Sequence, residues 1–419
     1  MIVNNANLVT HWPSQPAVSG ALLAMEGKSI VDFGPVGKLV SRYDDDSEVL
    51  DVSGRLVVPG MIDAGSRLYR SLTPGFPIPW QESHRIESAL DEESLYWSAL
   101  AGLLDALRSG VTTSFAFVSS PASVEGSLTA VARAFSETKV RGALAYMVSP
   151  RSDTAAAIRE NARHLAICRG SSSERIQGLF GLDAGSGIED EPLTEVARAA
   201  EDEGAGVYVR LEDDGHEADV VNRLERLGVW NRGGVAFYHG PIAPEADVVF
   251  REREVWIAHG AQSDILSGMG ALDLARAASS GLRLALATDG CGPSLSEELR
   301  VAAYRQRTRG RELKDAIRLA CRAAFAGNAD LATRVFGPEL GRIKPGARAD
   351  LVVLDYRAPT PLEEENLPEL LFWGASRAPV HSVIVNGKLL YQNGEFKDLD
   401  EERSRARARE AARKLRERI

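Results

Sequence analysis

The stretch that decides the fold reads VVPGMIDAGSRL and occupies residues 57–68. Its β-branched residues run into Pro59 and Gly60, a pair that is typical of the end of an extended segment. A second short apolar segment follows and ends in the small and polar residues of positions 63–67. This order predicts a buried strand whose carboxyl end presents polar side chains.

Beyond Gly60, short apolar segments alternate with amphipathic helices. In the clearest helix Asp91 is the expected N-cap, four leucines within residues 100–107 share one face, and Gly110 is the stop signal. Such alternation is typical of a parallel α/β fold, and eight units over roughly 280 residues predict a (β/α)8 TIM barrel across residues 59–339. The eight predicted strands are 57–64, 111–117, 140–147, 176–182, 206–212, 235–239, 254–259 and 283–288.

Both ends of the chain are rich in strand signals. Residues 1–58 contain short apolar runs and turns, and strand character returns in residues 340–400, where Asn386 and Gly387 predict a hairpin turn. We expect the two ends to form one small composite β-sandwich beside the barrel. Residues 401–419 are rich in Arg, Glu and Ala and predict a solvated C-terminal helix.

Composition limits the partners of the chain. A net charge of −10 argues against nucleic acid as a partner. The cysteines Cys168, Cys291 and Cys321 are too far apart for a metal motif or a disulfide framework. The lack of a leader pattern and of a long apolar span predicts a cytoplasmic protein without a membrane partner. A small-molecule ligand and a homodimer both stay open.

Three motifs together carry a resemblance to a known family. They are PGMID at residues 59–63, ATDG at residues 287–290, and the segment from Gly341 to Asp355 with its Lys-Pro-Gly turn and apolar run. In this order and spacing they resemble the amidohydrolase superfamily, in its chlorohydrolase and cytosine-deaminase branch. Within that branch the chain is similar to aminohydrolases of the selenium-metabolism cluster. The resemblance covers nearly the whole chain and implies the same barrel.

The resemblance also implies a metal-dependent hydrolase or deaminase that acts on a ring or amide carbon. In the family a divalent ion, zinc or iron, is held at the carboxyl end of the barrel. Its ligands are two His after strand 1, one His each on strands 5 and 6, and an Asp on strand 8. The ion acidifies a bound water, and a carboxylate three residues past the strand-5 His moves the proton.

Three of these five ligand positions carry residues that cannot bind a metal. The strand-1 pair falls on Gly65 and Arg67, and the strand-5 position falls on Arg210. Glycine has no side chain, and a guanidinium group stays protonated and has no lone pair to donate.

Two ligand positions and the proton-shuttle carboxylate remain. The strand-6 position keeps His239, the strand-8 position keeps Asp289, and the shuttle position carries Asp213 in place of the usual Glu. These three residues are the candidate catalytic groups. Two protein ligands are too few for a catalytic metal site, which usually has at least three, so the implied ion conflicts with the residues.

Arg67 and Arg210 admit more than one interpretation. As fixed cations they could replace the charge of the ion, either by binding an anionic ligand or by pairing with Asp289 and Asp213. Alternatively, they are the result of drift after loss of activity, with both side chains extending into solvent.

Four further residues can have either a functional or a purely structural role. Asp289 is either catalytic or a structural partner of an arginine, and His239 is either functional or a hydrogen-bonded residue at a strand end. His259 lies where the related branch has a His-Asn-Pro stretch along the substrate pocket, so it either orients a ligand or packs in the core. Cys291, near the mouth, is a candidate nucleophile with His239 or His259, or an inert side chain.

Three functions compete on this basis. The first is a catalytically altered or inactive homologue that keeps the barrel as a ligand- or partner-binding module, and the lost ligand positions favour it. The second is an active C–N hydrolase or deaminase that uses unusual ligands or no metal, through His239, Asp213 and Asp289. The third is a scaffold whose barrel mouth is closed and whose outer surface binds a partner protein.

Overall fold

The computed structural model describes residues 1–43, 48–184, 187–211, 217–231 and 233–419. Asp213, the predicted proton-shuttle residue, lies outside these ranges.

The strands of the described residues are β1 (Ile2–Val9), β2 (Ala17–Glu26), β3 (Ser29–Pro35), β4 (Val49–Asp51), β5 (Leu56–Pro59), β6 (Met61–Ser66), β7 (Val111–Val118), β8 (Arg141–Val148), β9 (Ile176–Gly178), β10 (Phe180–Ala184), β11 (Val207–Leu211), β12 (Val235–Phe237), β13 (Trp256–His259), β14 (Arg283–Leu286), β15 (Leu351–Leu354), β16 (Val380–Val385), β17 (Lys388–Gln392) and β18 (Glu395–Phe396).

The helices are α1 (Val36–Leu39), α2 (Ser83–Ala89), α3 (Glu92–Arg108), α4 (Ser127–Thr138), α5 (Thr154–Gly170), α6 (Asp190–Asp202), α7 (Glu217–Arg226), α8 (Pro244–Glu252), α9 (Ala261–Ser267), α10 (Leu274–Ser279), α11 (Leu295–Thr308), α12 (Leu313–Cys321), α13 (Asn328–Phe336), α14 (Leu367–Trp373) and α15 (Glu401–Arg418). Short 3₁₀ turns lie at Val40–Arg42, Leu68–Arg70, Trp80–Glu82 and Ala375–Arg377, and a π-helical turn lies at Arg322–Gly327.

Eight parallel strands form a barrel in chain order, which confirms the predicted (β/α)8 fold. The neighbours run β6, β7, β8, β10, β11, β12, β13 and β14, and β9 extends the edge of β8. The strands are buried along nearly their whole length, as expected when helices cover the outside of a parallel sheet.

The barrel closes between its first and last strands through polar contacts. The amide of Asp289 donates to the carbonyl of Gly65 at 2.9 Å. The carboxylate of Asp63 accepts from the amide and the hydroxyl of Thr288, at 3.0 and 2.6 Å. The side-chain amide of Asn328 donates to carbonyl oxygens on both strands, those of residues 62 and 286. The residues after β6 therefore lie beside those after β14.

Two predicted strands are divided in the structure. The predicted strand 57–64 breaks at Gly60, so that β5 joins the sheet of the chain ends and β6 joins the barrel. A Cβ atom at Gly60 would overlap with the side chain of Thr112, and only glycine allows this close approach. The predicted strand 176–182 is divided into β9 and β10.

The two chain ends share one continuous sheet beside the barrel. Its order is β18, β17, β16, β15, β5, β1, β2 and β3, with β4 paired to β1. β5 and β15 join the two ends in antiparallel register. The predicted hairpin is present between β16 and β17, and its turn residues Asn386 and Gly387 have φ values of 48° and 72°. The positions of the domain boundaries stay a prediction.

Helix α3 carries the helix signals that the sequence predicted. Asp91 caps it by accepting from the amide of Ser94 at 2.8 Å. The C-terminal helix α15 packs against α3, with Ala411 and Leu415 buried and with Arg405 in an ion pair with Asp105 at 2.5 Å. Within the described ranges, none of the helices combines the length and the apolar character needed to cross a membrane.

Candidate active site

Charged and titratable side chains gather at the carboxyl ends of the barrel strands. Arg67 follows β6, Asp183 lies near the end of β10, Arg210 near the end of β11, His239 follows β12, and Asp289 follows β14. Catalytic groups of TIM-barrel enzymes occupy this face of the barrel. The sequence prediction had placed four of these five residues here, and Asp183 was missed.

Arg67 and Asp289 form a buried two-pronged ion pair. Nε of Arg67 donates to Oδ1 of Asp289 at 2.7 Å and to its backbone carbonyl at 3.1 Å, and Nη2 donates to Oδ2. Arg67 is 5% exposed and Asp289 is fully buried. Both carboxylate oxygens of Asp289 are therefore engaged by a guanidinium group.

The charge of Arg67 is permanent in this setting. Burial lowers its pKa, the charge of Asp289, the nearby Tyr69 and the hydrogen bond to Asp289 raise it, and the net shift is upward. Arg67 and Arg210 are 5% and 8% exposed, so the alternative in which both arginines extend into solvent is wrong. A buried guanidinium group needs a carboxylate partner, and each arginine has one.

Arg210 pairs with the carboxylate at the end of the neighbouring strand. Its Nε and Nη2 donate to Oδ1 and Oδ2 of Asp183 at 3.1 and 2.7 Å. Arg151 donates to the same Oδ2 at 2.7 Å. Burial lowers the pKa of Arg210, and Asp183 and Glu87 raise it by more, so this arginine also stays protonated.

A second buried carboxylate lies next to this pair. Glu87 is 1% exposed and accepts from the hydroxyl groups of Tyr69 and Ser119 at 2.7 and 3.0 Å. Nη2 of Arg151 lies 3.6 Å from its Oε2. Burial and the Glu87 charge raise the pKa of Tyr69, which keeps its hydroxyl group protonated as a donor.

The segment between β6 and α2 covers the Arg67 pair. The ring of Trp80 lies 4.7 Å from the guanidinium carbon of Arg67 and 4.2 Å from that of Arg70. Next to it, the side chain of Gln81 donates to the carbonyl of Leu266 at 3.1 Å. The segment therefore extends from the end of strand β6 to helix α9, and an aromatic ring shields two guanidinium groups.

His239 forms the acid–base candidate of the site together with Asp264. Nδ1 of His239 lies 2.9 Å from Oδ1 of Asp264, and the amide of Gly240 donates to Oδ2 at 3.3 Å. Asp264 is fully buried in the first turn of α9, whereas the His239 side chain is 12% exposed. A carboxylate that holds Nδ1–H fixes the tautomer and leaves Nε2 with the lone pair.

His259 lies on the other side of the same carboxylate. It is 1% exposed, and its Nδ1 is 3.6 Å from Oδ2 of Asp264, too far for a hydrogen bond. Neither ring nitrogen has a hydrogen-bond partner among the described residues. Burial lowers the pKa of His259, so its ring is neutral. Its predicted ligand-orienting role stays a prediction.

Cys291 lines a cavity of about 150 Å³ between the barrel wall and α3, together with Ser66 and Thr288. Burial raises the pKa of its thiol well above the usual value, and the charges of Asp289 and Glu298 raise it further. A thiol held in the protonated form is a poor nucleophile. The physical setting therefore opposes the role of Cys291 as a nucleophile.

Gly65, at the first ligand position that the resemblance implies, is closely approached by the side chain of Tyr208. The hydroxyl group of Tyr208 donates to the carbonyl of Ala64 at 3.1 Å. A Cβ atom at Gly65 would overlap with this hydroxyl and would lie 3.3 Å from Cβ of Ala287. The first ligand position therefore lacks a side chain and also lacks the space for one.

The remaining ligand positions do not fit an ion either. Arg67 occupies both oxygens of Asp289, so Nε2 of His239 is the one free ligand atom at the two retained positions. The described ranges contain no cluster of three or more His, Cys, Asp or Glu side chains that could hold a metal ion. The described residues thus do not fit the zinc or iron ion that the resemblance implies.

Sequence reasoning missed several residues of the site. Asp183 directly follows the predicted strand 176–182, and the rule that barrel sites lie at strand ends could have found it. Asp264 stands five residues after His259, in a stretch that the sequence had drawn attention to. Glu87 and Tyr208 gave no signal, because their roles depend on side chains that approach from other elements.

Comparison with known proteins shows relatives over the full chain. The chain is 27% identical over 438 residues to a 5-methylthioadenosine/S-adenosylhomocysteine deaminase of Pelotomaculum thermopropionicum, covering 99% of this chain and 98% of that protein. It is also 27% identical over 389 residues to a 5'-deoxyadenosine deaminase of Methanothermobacter thermautotrophicus, covering 87% of this chain and 88% of that protein.

Solved structures share the fold. An adenosine deaminase from Xanthomonas campestris with bound zinc matches with a TM-score of 0.87 at 20% identity, covering 99% of this chain and 98% of that one. An atrazine chlorohydrolase from Arthrobacter aurescens TC1, complexed with zinc, matches with a TM-score of 0.82 at 18% identity, covering 98% and 99%. At this level of identity the likeness concerns the fold.

These relatives correct the function that the lost ligand positions favoured. The hypothesis of an inactive barrel that only binds a ligand or partner is contradicted, because the full-length relatives are named as deaminases. The alternative of an active C–N hydrolase agrees better with them. The sequence pattern of the amidohydrolase family matches residues 56–390, four fifths of the chain. The chain therefore belongs to the amidohydrolase family.

Proposed function

We propose that this chain is an active hydrolase of C–N bonds that deaminates an aminopurine nucleoside. The names of its full-length relatives supply the substrate class. The observation that carries the proposal is the His239–Asp264 pair at the mouth of the barrel, with a 2.9 Å contact between a partly exposed imidazole and a buried carboxylate. This arrangement suits a general base.

The pair accounts for the proton transfers of a hydrolytic deamination. Nε2 of His239 takes a proton from water while the water oxygen bonds to the ring carbon that carries the amino group. Asp264 stabilises the imidazolium that forms. The imidazolium of His239 then returns the proton to the amino nitrogen of the purine as the C–N bond breaks. The aminopurine and water thus become a hydroxypurine, or its oxo tautomer, and ammonia.

The other predicted site residues keep the status of predictions. Asp289 was predicted to be catalytic, and in the structure its carboxylate is held by Arg67. Arg67 and Arg210 were predicted to bind substrate or an anion, and each engages a carboxylate of this chain. We assign them to positioning and charge. A catalytic role of Asp213 also stays a prediction.

Release of ammonia tests the proposed function. The substrates to try are 5'-deoxyadenosine, 5'-methylthioadenosine, S-adenosylhomocysteine and adenosine. We expect turnover of at least one of them, and His239→Gln should lower kcat/KM by about 10²–10⁴-fold. His381→Gln is the matched control, because His381 lies on β16 in the sheet of the chain ends. Absence of ammonia with all four nucleosides would contradict the proposal.

The finer expectations from the sequence are part of this proposal. They are the similarity to aminohydrolases of the selenium-metabolism cluster, a cytoplasmic location and a homodimer. None of them affects the chemistry argued for His239 and Asp264.

A further inference from the structure

We infer that the guanidinium group of Arg67 and the hydroxyl group of Tyr208 take the place that the family gives to its metal ion, so that the site works without a divalent cation. This inference rests on the proposed function and deepens it, because it says how the site is built. It is based on three observations: the space at residue 65, the charges of the two arginines, and the contacts of the two retained ligand residues, His239 and Asp289.

The first observation concerns space. Tyr208 projects from β11 across the barrel, and its hydroxyl group occupies the position where a side chain at residue 65 would begin. The tyrosine is 1% exposed and bonded to the carbonyl of Ala64 at 3.1 Å. The ring of Phe117 packs against it with the centroids 5.5 Å apart. The ring is therefore buried and is held in place by a hydrogen bond and an aromatic contact.

The second observation concerns charge. The Arg67 guanidinium group is buried against Asp289 and covered by the ring of Trp80 at 4.7 Å. Arg210 adds a second permanent cation on the same face of the barrel. Each arginine is already paired with a carboxylate, so a divalent cation could bind Asp289 only by displacing the Arg67 guanidinium group. The arginine side chains, which belong to the chain itself, supply the positive charge that a bound ion would bring.

The third observation concerns the two retained ligand positions. Both oxygens of Asp289 accept from Arg67, so an ion would have to break a two-pronged ion pair. The ring of His239 is oriented by Asp264 through Nδ1, which leaves the lone pair of Nε2 free. That single nitrogen is too few ligands for a catalytic metal site, so the two retained positions do not hold an ion as they stand.

The metal content of the full-length chain tests the inference without reference to activity. Protein purified without chelator should contain far less than one zinc, iron or other divalent ion per chain by elemental analysis. Titration with zinc in a calorimeter should show no stoichiometric binding. One tightly held ion per chain, removable by a chelator, would overturn the inference and would point to ligands within residues 212–216.

Two variants separate the role of space from that of charge. Arg67→His/Arg210→His removes both guanidinium groups and restores two imidazoles, and we expect at most weak zinc binding because Tyr208 still fills the first position. Adding Gly65→His and Tyr208→Ala should tighten zinc binding at least tenfold over the double variant. Equal zinc affinity of the double variant and a folded four-site variant would overturn the inference. If the four-site variant does not fold, the wild-type titration decides.

The outcomes distinguish this inference from the proposed function. Ammonia release by a metal-free chain supports both. Ammonia release that requires one bound zinc contradicts the inference and leaves the deaminase proposal standing. A metal-free chain that deaminates none of the nucleosides supports the inference and contradicts the deaminase proposal.

Discussion

The hydroxyl group of Tyr208 lies where the side chain of residue 65 would begin, and glycine is the residue that leaves it room. The two residues come from different strands, β6 and β11, and meet inside the barrel. In the family this place belongs to the first metal ligand. Glycine at residue 65 therefore does more than omit one ligand, because it also leaves room for the Tyr208 hydroxyl group.

This relationship predicts a specific coupling energy. Gly65→Ala should lower the free energy of unfolding by about 1–3 kcal/mol, because the new Cβ overlaps with the Tyr208 hydroxyl. In a Tyr208→Phe background the same substitution should cost clearly less, since the overlapping atom is gone. Urea unfolding of the four proteins of this double-mutant cycle gives the coupling directly.

Gly37→Ala is the control for that cycle. Gly37 is exposed in α1, and a Cβ atom there would meet open space. We expect no loss of stability from it. Equal costs of Gly65→Ala with and without the Tyr208 hydroxyl would show that the two residues do not compete for space.

The Arg67–Asp289 pair predicts a large cost for removing one partner. Arg67→Met keeps much of the side-chain length and removes the charge, which leaves the Asp289 carboxylate buried without its cation. We expect a loss of about 3–5 kcal/mol in the free energy of unfolding. Arg67→Met/Asp289→Asn should recover a large part of it. If the single variant were as stable as the wild type, the pair would not be the buried unit described above.

The His239–Asp264 pair predicts a loss of turnover without a comparable loss of binding. Asp264→Asn keeps the shape of the side chain and removes the charge that stabilises the imidazolium. We expect kcat to fall by at least about 10²-fold on the best nucleoside, with KM roughly unchanged. Steady-state kinetics on folded protein, checked by circular dichroism, provides the measurement. A rise in KM at constant kcat would assign Asp264 to binding instead.

Glu298 predicts a pH dependence of stability. Burial raises its pKa from 4.5 to about 8, against the opposing effect of hydrogen bonds from Gln262 and the amide of Ala261. A raised folded-state pKa means that the stabilising effect is fully present below pH 4.5 and is lost as the pH rises through about 8. Between pH 7 and 8 the free energy of unfolding should fall by up to about 1 kcal/mol.

Glu298→Gln isolates this effect. The glutamine keeps a carbonyl oxygen for the two backbone amides and stays neutral at every pH. We expect the variant to show a flatter profile than the wild type between pH 7 and 9 in urea unfolding. Identical slopes for the two proteins would show that Glu298 has an ordinary pKa in the folded chain.

Much of the fold was predictable from the sequence, because apolar strands and amphipathic helices leave periodic signals. Every one of the eight predicted strands has a counterpart in the barrel. The sequence marked Pro59 and Gly60 as the end of an extended segment, yet the predicted strand 57–64 ran across them. The close approach of Thr112 from the next strand, which requires glycine at residue 60, was not predictable. Local patterns identify elements, and contacts between elements set their exact limits.

The sequence predicted where the residues of the candidate site lie better than it predicted which side chains they contact. The family resemblance placed Arg67 and Asp289, which are 222 residues apart, at the ends of the first and last strands, and these strands meet in the barrel. Among the described residues Arg210 pairs with Asp183, which no motif had marked. The role of Tyr208 depends on its side chain reaching across the barrel to residue 65, and a single sequence carries no signal for such a contact.

The most direct test of the account is the release of ammonia from the best of the four nucleosides by protein that has been dialysed against chelator and shown by elemental analysis to be free of metal. The account predicts the same turnover before and after removal of metal, with no increase on adding zinc. Turnover that vanishes with the metal and returns with zinc would contradict the account.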